Sequence, residues 1–311
     1  MSSLLRDLAD RVGGNVRGGE PLAAHTTLRV GGPAAAFVRA ETVADLEAVA
    51  EACARHGREW LVVGRGSNLL VPDEGWPGVA VALGRGFRGV RMGADAQVVA
   101  GAAEPMPVLA ATVARHGLGG LAFGTAIPGT LGGAVRMNAG AHGCQLGDVL
   151  AWAEVSRLCR GGIVERLSAS DLDMRYRRTA LPEDAVVVRA GLVLRHADRD
   201  EVAADMAEMR RWRRDHQPIS EPSCGSVFRN PPGDSAGRLI EAAGMKGYAA
   251  GGAQVSRIHA NFITTRPGAE AADVLAVIAA VRGAVAARPG VWLETEVVLA
   301  GCHDQGSRAP R

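Results

Sequence analysis

The sequence predicts an α+β protein with sheets of mixed direction. Three observations carry the prediction. Strand-patterned and helix-patterned segments are interleaved along the whole chain. Many of the strand segments are short. No internal repeat of fixed period organises them into a solenoid or propeller. The 311 residues make about two domains at roughly 150 residues each, and each can bury a sizeable core.

Residues 43–56 predict a helix: Val43, Leu46, Val49, Ala50 and Cys53 share one face, Thr42 is placed to cap it, and Gly57 to stop it. Trp60 to Val63 predicts a buried strand, and Val79–Leu83 and Gln97–Ala100 two more. Val108 to His116 predicts a helix closed by Gly117, and then a Gly-rich loop runs from Gly119 to Gly147. Strands are expected over 151–158, 163–167 and 185–195, with a helix-like start at Ser170 between the last two. Glu201–Arg214 predicts an amphipathic helix ending in an arginine cluster. Gln217-Pro218-Ile219-Ser220-Glu221-Pro222 then breaks the chain and marks the best domain boundary. Helices near 236–243 and 270–287 and strands near 260–265 and 291–300 complete the chain.

Composition excludes several functions. A net charge of +2 lacks the excess basic charge of a nucleic-acid footprint. Five Trp, five Phe and two Tyr are too few for a stacking platform built on many rings. Lys246 is the sole lysine, so phosphate-loop and lysine Schiff-base chemistry have no other anchor. The N-terminus has no apolar core of a signal peptide. No apolar stretch approaches the ~18 residues of a membrane span. The five cysteines are odd in number and widely spaced, with no C-x-x-C, and no H-E-x-x-H occurs. The expectation is a soluble cytoplasmic protein without a metal site.

The obvious nucleotide motif fails on context. Gly84-Arg85-Gly86-Phe87-Arg88-Gly89 comes after a strand, but leads into another strand rather than opening a helix that could hold a pyrophosphate. A strand connection explains it. No G-x-S-x-G elbow anchors a hydrolase triad.

Other segments carry more chemistry. In Gly64-Arg65-Gly66-Ser67-Asn68-Leu69 the glycines allow close backbone approach, so the loop is either an anion nest or an ordinary tight turn. The run Gly124-Thr125-Ala126-Ile127-Pro128-Gly129-Thr130-Leu131-Gly132-Gly133, continuing through Asn138-Ala139-Gly140 to Gly143, is long, nearly uncharged and rich in small residues. Its backbone polar groups must be covered, by a flat ligand or by close helix packing. Ser223-Cys224-Gly225-Ser226-Val227-Phe228-Arg229-Asn230 sets a hydroxyl, a guanidinium suited to phosphate and an amide within five residues. Arg175-Tyr176-Arg177-Arg178-Thr179 is a polar cluster or a solvated face. In the strand pattern Val291–Leu299, Glu294 and Glu296 share a face with Trp292, pointing into a cleft or to solvent.

As an ordered set, these segments, together with His259-Ala260-Asn261-Phe262-Ile263 and Leu293-Glu294-Thr295-Glu296-Val297, closely resemble the UDP-N-acetylenolpyruvoylglucosamine reductase (MurB) family. The resemblance spans roughly residues 20–301, in the shorter subtype lacking a tyrosine-bearing insertion. It implies an FAD-binding domain of the vanillyl-alcohol-oxidase (PCMH) type over residues 1–215, in two subdomains meeting near 80–90. It implies a smaller α+β substrate domain over 216–311, with a disordered tail after about 303. It implies NADPH-dependent reduction of UDP-N-acetylglucosamine enolpyruvate to UDP-N-acetylmuramate through noncovalent FAD, with hydride to the vinyl carbon and a proton to its neighbour.

The resemblance also implies roles. Arg177 and a protonated Glu296 would stabilise charge on the enolpyruvyl carboxylate, an effect worth ~3–4 kcal/mol per well-placed donor. Ser226 would donate the proton. Tyr176, Arg229 (where the family usually has lysine) and Asn230 would bind substrate. Gly64, Arg65, Gly66, Ser67, Asn68 and Leu69 would contact the flavin. So would Gly124, Thr125, Ala126, Pro128, Gly129, Gly132, Gly133, Asn138, Ala139 and Gly140. No metal, nucleic acid, membrane or protein partner is implied, and His25 has no catalytic role. Two other readings compete. A flavin-dependent oxidase or dehydrogenase of a small hydroxylated substrate would reoxidise with oxygen and need neither Ser226 nor Arg229. A regulatory flavin-binding module would have lost the catalytic residues, yet Arg177, Ser226 and Glu296 are all present.

Overall fold

The computed structural model describes residues 2–288 and 290–302. The tail expected after about residue 303 lies outside the described residues. The chain forms two compact units that interleave in sequence. The first comprises Met1–Gly18, Ala36–Gly64 and Pro77–Trp212, and the second Gly19–Ala35, Arg65–Trp76 and Arg213–Arg311. Two N-terminal segments therefore cluster with the C-terminal residues. The reason is apolar burial: Leu28, Val30 and Leu70 fill the core of the second unit.

In the first unit, helices α1 (Ser3–Arg11) and α2 (Val43–His56) cover a four-stranded sheet ordered Asn15–Pro21, Pro33–Ala40, Trp76–Leu83, Trp60–Val62. Thr42 and Asp45 cap α2 reciprocally, and Gly57 ends it at φ +57°. Trp60–Val62 is an edge strand, half-buried to exposed rather than buried, because no strand covers its far side. Residues 84–89 then link this sheet to the next. Arg85–Phe87 forms a 3-10 turn and Val90–Met92 a strand, so no helix opens in the G-x-G-x-x-G stretch.

The second sheet of this unit is antiparallel, ordered Ile163–Ser168, Leu150–Arg157, Ala185–Val193, Gln97–Gly101, Val90–Met92. Its central strand is apolar on both faces. Val186 and Val188 join the core of α1 and α2. Val187, Ala190 and Leu192 face the other way, into a core with α3 (Met106–Arg115), α4 (Leu131–Met137) and α5 (Arg199–His216). Helix α4 lies inside the run expected to be a loop. The small residues let it approach the sheet: a Cβ on Gly132 would stand 3.0 Å from the Ala102 Cβ. The start expected at Ser170 makes turns, not a helix: Ser168 and Asp171 cap each other as at a helix start, but the backbone goes left-handed at Asp173, φ +40°, and stops it.

The second unit holds a four-stranded antiparallel sheet ordered Ser223–Ser226, Phe262–Thr265, Ala253–Val255, Ala249–Ala250, with α6 (Ala236–Ala242) and α7 (Ala271–Ala287). Asp73 accepts from the first amides of α7, Ala271 and Ala272, at 2.7 and 3.0 Å. The strand expected over 291–300 is broken. Val298–Leu299 pairs in parallel with Leu69–Leu70, and Thr295 makes a lone bridge to Phe228. The alternating pattern is real, but this segment lies between two loops rather than beside one long strand. No described helix is long and apolar enough to cross a membrane.

Candidate active site

In the second unit, Ser223 pairs with Thr264 but Ser226 with Phe262, so one extra residue is inserted between the pairs. This β-bulge re-aims the chain at Ser226 and beyond. Gly225 sits in it at φ +74°, with open space where a Cβ would be. The backbone conformation, not crowding, requires glycine there. The chain then runs through a dense backbone network. The Val227 N–H donates to the Asn261 carbonyl at 2.9 Å. The Asn261 side chain accepts from the Phe228 N–H at 2.9 Å and donates to the Phe228 carbonyl at 2.8 Å. From the other side, the Glu296 N–H donates to the Val227 carbonyl at 2.7 Å and the Arg229 N–H to the Glu294 carbonyl at 2.9 Å. Asn68 Nδ2 donates to the Glu296 carbonyl at 3.1 Å. Ser226, Arg229, Glu296 and Asn68 are thus brought together, with Ser226 and Glu296 half-buried.

The electrostatics here favour an anion. Arg229 Nε is buried with no hydrogen-bond partner among the described residues, and its Nη1 is a loose 3.6 Å from the exposed Glu294 carboxylate. A buried unsatisfied donor costs about 1–3 kcal/mol, and an anionic oxygen satisfies it best. Burial, with the Glu296 charge adding, pushes the Cys224 thiol up to about 12, which excludes it as a thiolate nucleophile. Asn230 uses its Oδ1 to accept from the Ala236 N–H at 3.0 Å, at the start of α6.

In the first unit, Tyr176 and Arg177 form the tip of a tight turn closed by Arg175 and Arg178, each amide donating to the other's carbonyl at 2.9 and 3.1 Å. Arg177 takes φ +53°, rare for a side-chain-bearing residue. Its Nη2 donates to the Gly140 carbonyl at 3.1 Å, and its guanidinium carbon lies 5.0 Å from the Tyr176 ring centroid. Asn138, at φ +41° and fully buried, binds the same turn from behind. Its Nδ2 donates to the Arg175 carbonyl at 2.9 Å and to Gln145 Oε1 at 3.0 Å, and its Oδ1 accepts from the Gly147 N–H at 2.8 Å. Thr179 donates to the Arg136 carbonyl at 3.0 Å. The Gly-rich run and the Tyr176-Arg177 turn therefore form one assembly. Arg177 belongs to this unit, whereas Ser226 and Glu296 belong to the other.

The segments expected to hold FAD fit a flat group on one observation. Exposed Gly64 and Gly133 flank the Thr130 hydroxyl, and a Cβ on either would stand 3.1 or 3.7 Å from Thr130 Oγ1. Glycine keeps that polar surface open. Not every residue of the set faces outward. Gly66 is glycine because a Cβ would meet the His25 carbonyl oxygen, and Leu69 is buried in the parallel pair with Val298. A Cβ on Gly124 would stand 3.2 Å from Met106 Cε. The Gly129 and Ala139 carbonyls accept from Met106 and Leu146. Thr125 is buried, its hydroxyl 3.4 Å from Arg210 Nη1. Ala126 and Pro128 are half-buried, and Arg65 is exposed. Asn138 supports the loop rather than offering its amide. The sequence alone assigns no role to Thr130 or Asn261 and leaves open which arginine of 210–214 would touch the flavin. Asn261 carried a signal, a lone amide just before a strand. Among the described residues no cluster of three or more His, Cys, Asp or Glu is arranged to hold a metal.

A family model described as UDP-N-acetylenolpyruvoylglucosamine reductase, C-terminal domain, matches residues 217–300, and one described as FAD binding domain matches residues 34–166. The UDP-N-acetylenolpyruvoylglucosamine reductase of Heliobacterium modesticaldum is 48% identical over 284 residues, covering 91% of this chain and 90% of that protein. That of Bacillus subtilis is 38% identical over 303 residues, covering 97% and 99%. The crystal structure of UDP-N-acetylenolpyruvylglucosamine reductase (MurB) from Thermus caldophilus superimposes with a TM-score of 0.80 at 36% identity, covering 92% of this chain and 98% of that one.

Proposed function

This chain belongs to the UDP-N-acetylenolpyruvoylglucosamine reductase family, and on that premise we propose how its own residues carry the reaction. The protein is an FAD-dependent oxidoreductase that reduces UDP-N-acetylglucosamine enolpyruvate to UDP-N-acetylmuramate, with NADPH as reductant, in peptidoglycan precursor synthesis. FAD, when bound, supplies the hydride it has taken from NADPH.

The residues manage charge and a proton. An enol ether is a poor electrophile, so hydride addition at the vinyl carbon needs the charge developing toward the carboxylate to be stabilised. Arg177 offers its guanidinium to that carboxylate. Glu296 supports it as a hydrogen-bond donor in its acid form. Ser226 gives its hydroxyl proton to the carbon beside the carboxylate. Arg229 receives the diphosphate on its buried, unpartnered Nε, with Tyr176 and Asn230 completing the substrate contacts. The Gly64–Leu69 loop and the 124–140 segment hold FAD, through the open surface around Thr130. Residues 1–215 serve FAD and 216–311 the sugar nucleotide, a division supported by matches over 34–166 and 217–300. The cytoplasm is the proposed compartment, since all five cysteines are free thiols. The near-zero net charge supports a set of small-molecule partners without nucleic acid.

The observation that carries the site reading is the Gly225 bulge. It delivers Ser226 into the same hydrogen-bonded segment as Glu296. The test is anaerobic spectroscopy of the purified holoenzyme. The flavin bleaches with NADPH and its colour returns only with the enolpyruvyl sugar nucleotide. Return with oxygen alone would favour the oxidase reading, and a protein that cannot be loaded with FAD would overturn the function. Ser226→Ala is expected to slow the second half-reaction while flavin reduction stays normal. Arg177→Ala and Glu296→Gln should do the same with flavin retained. Flavin loss in either variant would make that residue structural.

A further inference from the structure

We infer that Asn261 is a positioning residue for proton delivery by Ser226. The inference rests on the reading of Ser226 as proton donor.

The bulge interrupts the register of the strand just before Ser226, and its hydroxyl needs a constraint beyond the regular ladder to hold one position. Asn261 supplies it. Its backbone carbonyl accepts from Val227, and its side-chain amide both accepts from and donates to the Phe228 peptide groups. Three hydrogen bonds from one residue thus fix Val227 and Phe228, the two residues next in the chain after Ser226. Asn261 is 4% exposed, so water does not compete for these bonds. On the opposite strand Ser226 is registered against Phe262, the neighbour of Asn261, so one short segment holds both the serine and the two residues after it.

The Val227 carbonyl, in turn, accepts the Glu296 N–H. Displacing the Val227 peptide moves the proton donor and the backbone of the carboxylic acid together. No other side chain pairs with both backbone groups of a residue in the 226–229 turn among the described hydrogen bonds. The step served is simple. The Ser226 O–H bond breaks, a C–H bond forms at the carbon beside the carboxylate, and the alkoxide recovers its proton from solvent. Misplacement of a reacting group by about 1 Å costs as much as ~100-fold in rate.

The experiment uses stopped-flow half-reactions of the FAD-loaded enzyme with Asn261→Ala and Asn261→Asp. The second variant is nearly isosteric: it keeps the acceptor for the Phe228 N–H and replaces the donor to its carbonyl by a repelling carboxylate oxygen. Flavin reduction by NADPH should stay within about twofold, while reoxidation by saturating enolpyruvyl sugar nucleotide slows ~10- to 100-fold. The solvent deuterium isotope effect on reoxidation should rise, as proton transfer becomes more limiting. Hydrogen exchange at residues 226–229 should quicken without a general loss of protection. In a Ser226→Ala background the Asn261 change should add no further loss, because a positioning residue acts through its partner. Multiplying losses, or equal slowing of both half-reactions with an unchanged isotope effect, would make Asn261 merely structural and overturn the inference. If Ser226→Ala alone leaves reoxidation unchanged, the proton-donor reading has failed and the inference falls with it. The single variant tells these two failures apart.

Discussion

Gly225 and Arg229 let stability and the proposed chemistry be tested separately at single residues. Gly225 at φ +74° has room for a methyl group, so Gly225→Ala tests the backbone alone. It should cost about 1–2 kcal/mol of stability, the usual penalty of a left-handed L-residue, read as a lower urea midpoint, and it should slow reoxidation more than flavin reduction. Arg229 works the other way. Its Nε is buried and unpartnered, so Arg229→Met should leave the unliganded protein as stable or stabler while raising KM for the sugar nucleotide. Lower stability with unchanged KM would refute the diphosphate role. His259 gives a pH dependence. Burial, with the nearby Lys246 charge adding, holds its imidazole below the ordinary value. Its ring Nδ1 accepts from the Asn261 N–H at 3.2 Å, which a proton there would prevent. The unfolded chain takes up a proton at ~6.5, before the native state does. The contribution to stability is therefore whole above that value and lost as pH falls through it toward the lower native value. His259→Gln should flatten the fall of the urea midpoint over this window, and an unaltered slope would exclude His259 as its source.

Helix α2 shows what periodicity and caps can carry. Its face, its Thr42 cap and its Gly57 stop were all legible in residues 42–57, and its bounds are as expected. Asp45 adds what sequence could not show. One carboxylate accepts from Gly13, Glu41 and Thr42 amides at 2.8, 2.7 and 3.0 Å. Thr42→Ala should cost about 1 kcal/mol, and Asp45→Ala more, since it strands three amides where Thr42→Ala strands one. Thermal melting of both variants checks the order. Helix α4 was illegible for a physical reason. Leu131–Met137 is short and dominated by small residues, so no apolar stripe marks it, and only contact with Ala102 reveals its packing face. The 291–300 segment misled in the opposite sense. Alternation there is genuine, but its amides bond Val227 and Asn68, residues distant in sequence. A two-residue period reports which side chains face alike, not whether a partner strand exists. The candidate site divides in the same way. Ser226, Arg229 and Glu296 stood out through the ordered resemblance, whereas Asn261, though inside one of its segments, shows what it holds only in the bonds that close on Phe228.

At the scale of the molecule, the order of elements along the chain and their grouping in space part company. The sequence is punctuated at 217–222, yet the C-terminal residues form a compact unit together with two segments from the N-terminal half. Leu28, Val30 and Leu70 lie in its core, the Thr265 hydroxyl donates to the Leu28 carbonyl at 2.6 Å, and Asp73 caps α7. The Leu70 carbonyl also accepts from Ala300 at 2.9 Å. A C-terminal fragment of 213–311 would expose the surfaces these residues cover and leave the α7 amides without Asp73. It should therefore show no cooperative thermal transition. Leu70→Ala in the full chain should cost roughly 2–5 kcal/mol, the range for emptying a fully buried leucine site. It should also impair turnover beyond its effect on folding, because Leu70 adjoins the loop that carries Asn68, whose amide holds the Glu296 carbonyl. Cooperative melting of the isolated fragment, with near-ultraviolet dichroism like that of the full chain, would show that the C-terminal residues suffice, and that the N-terminal segments merely decorate a core already formed.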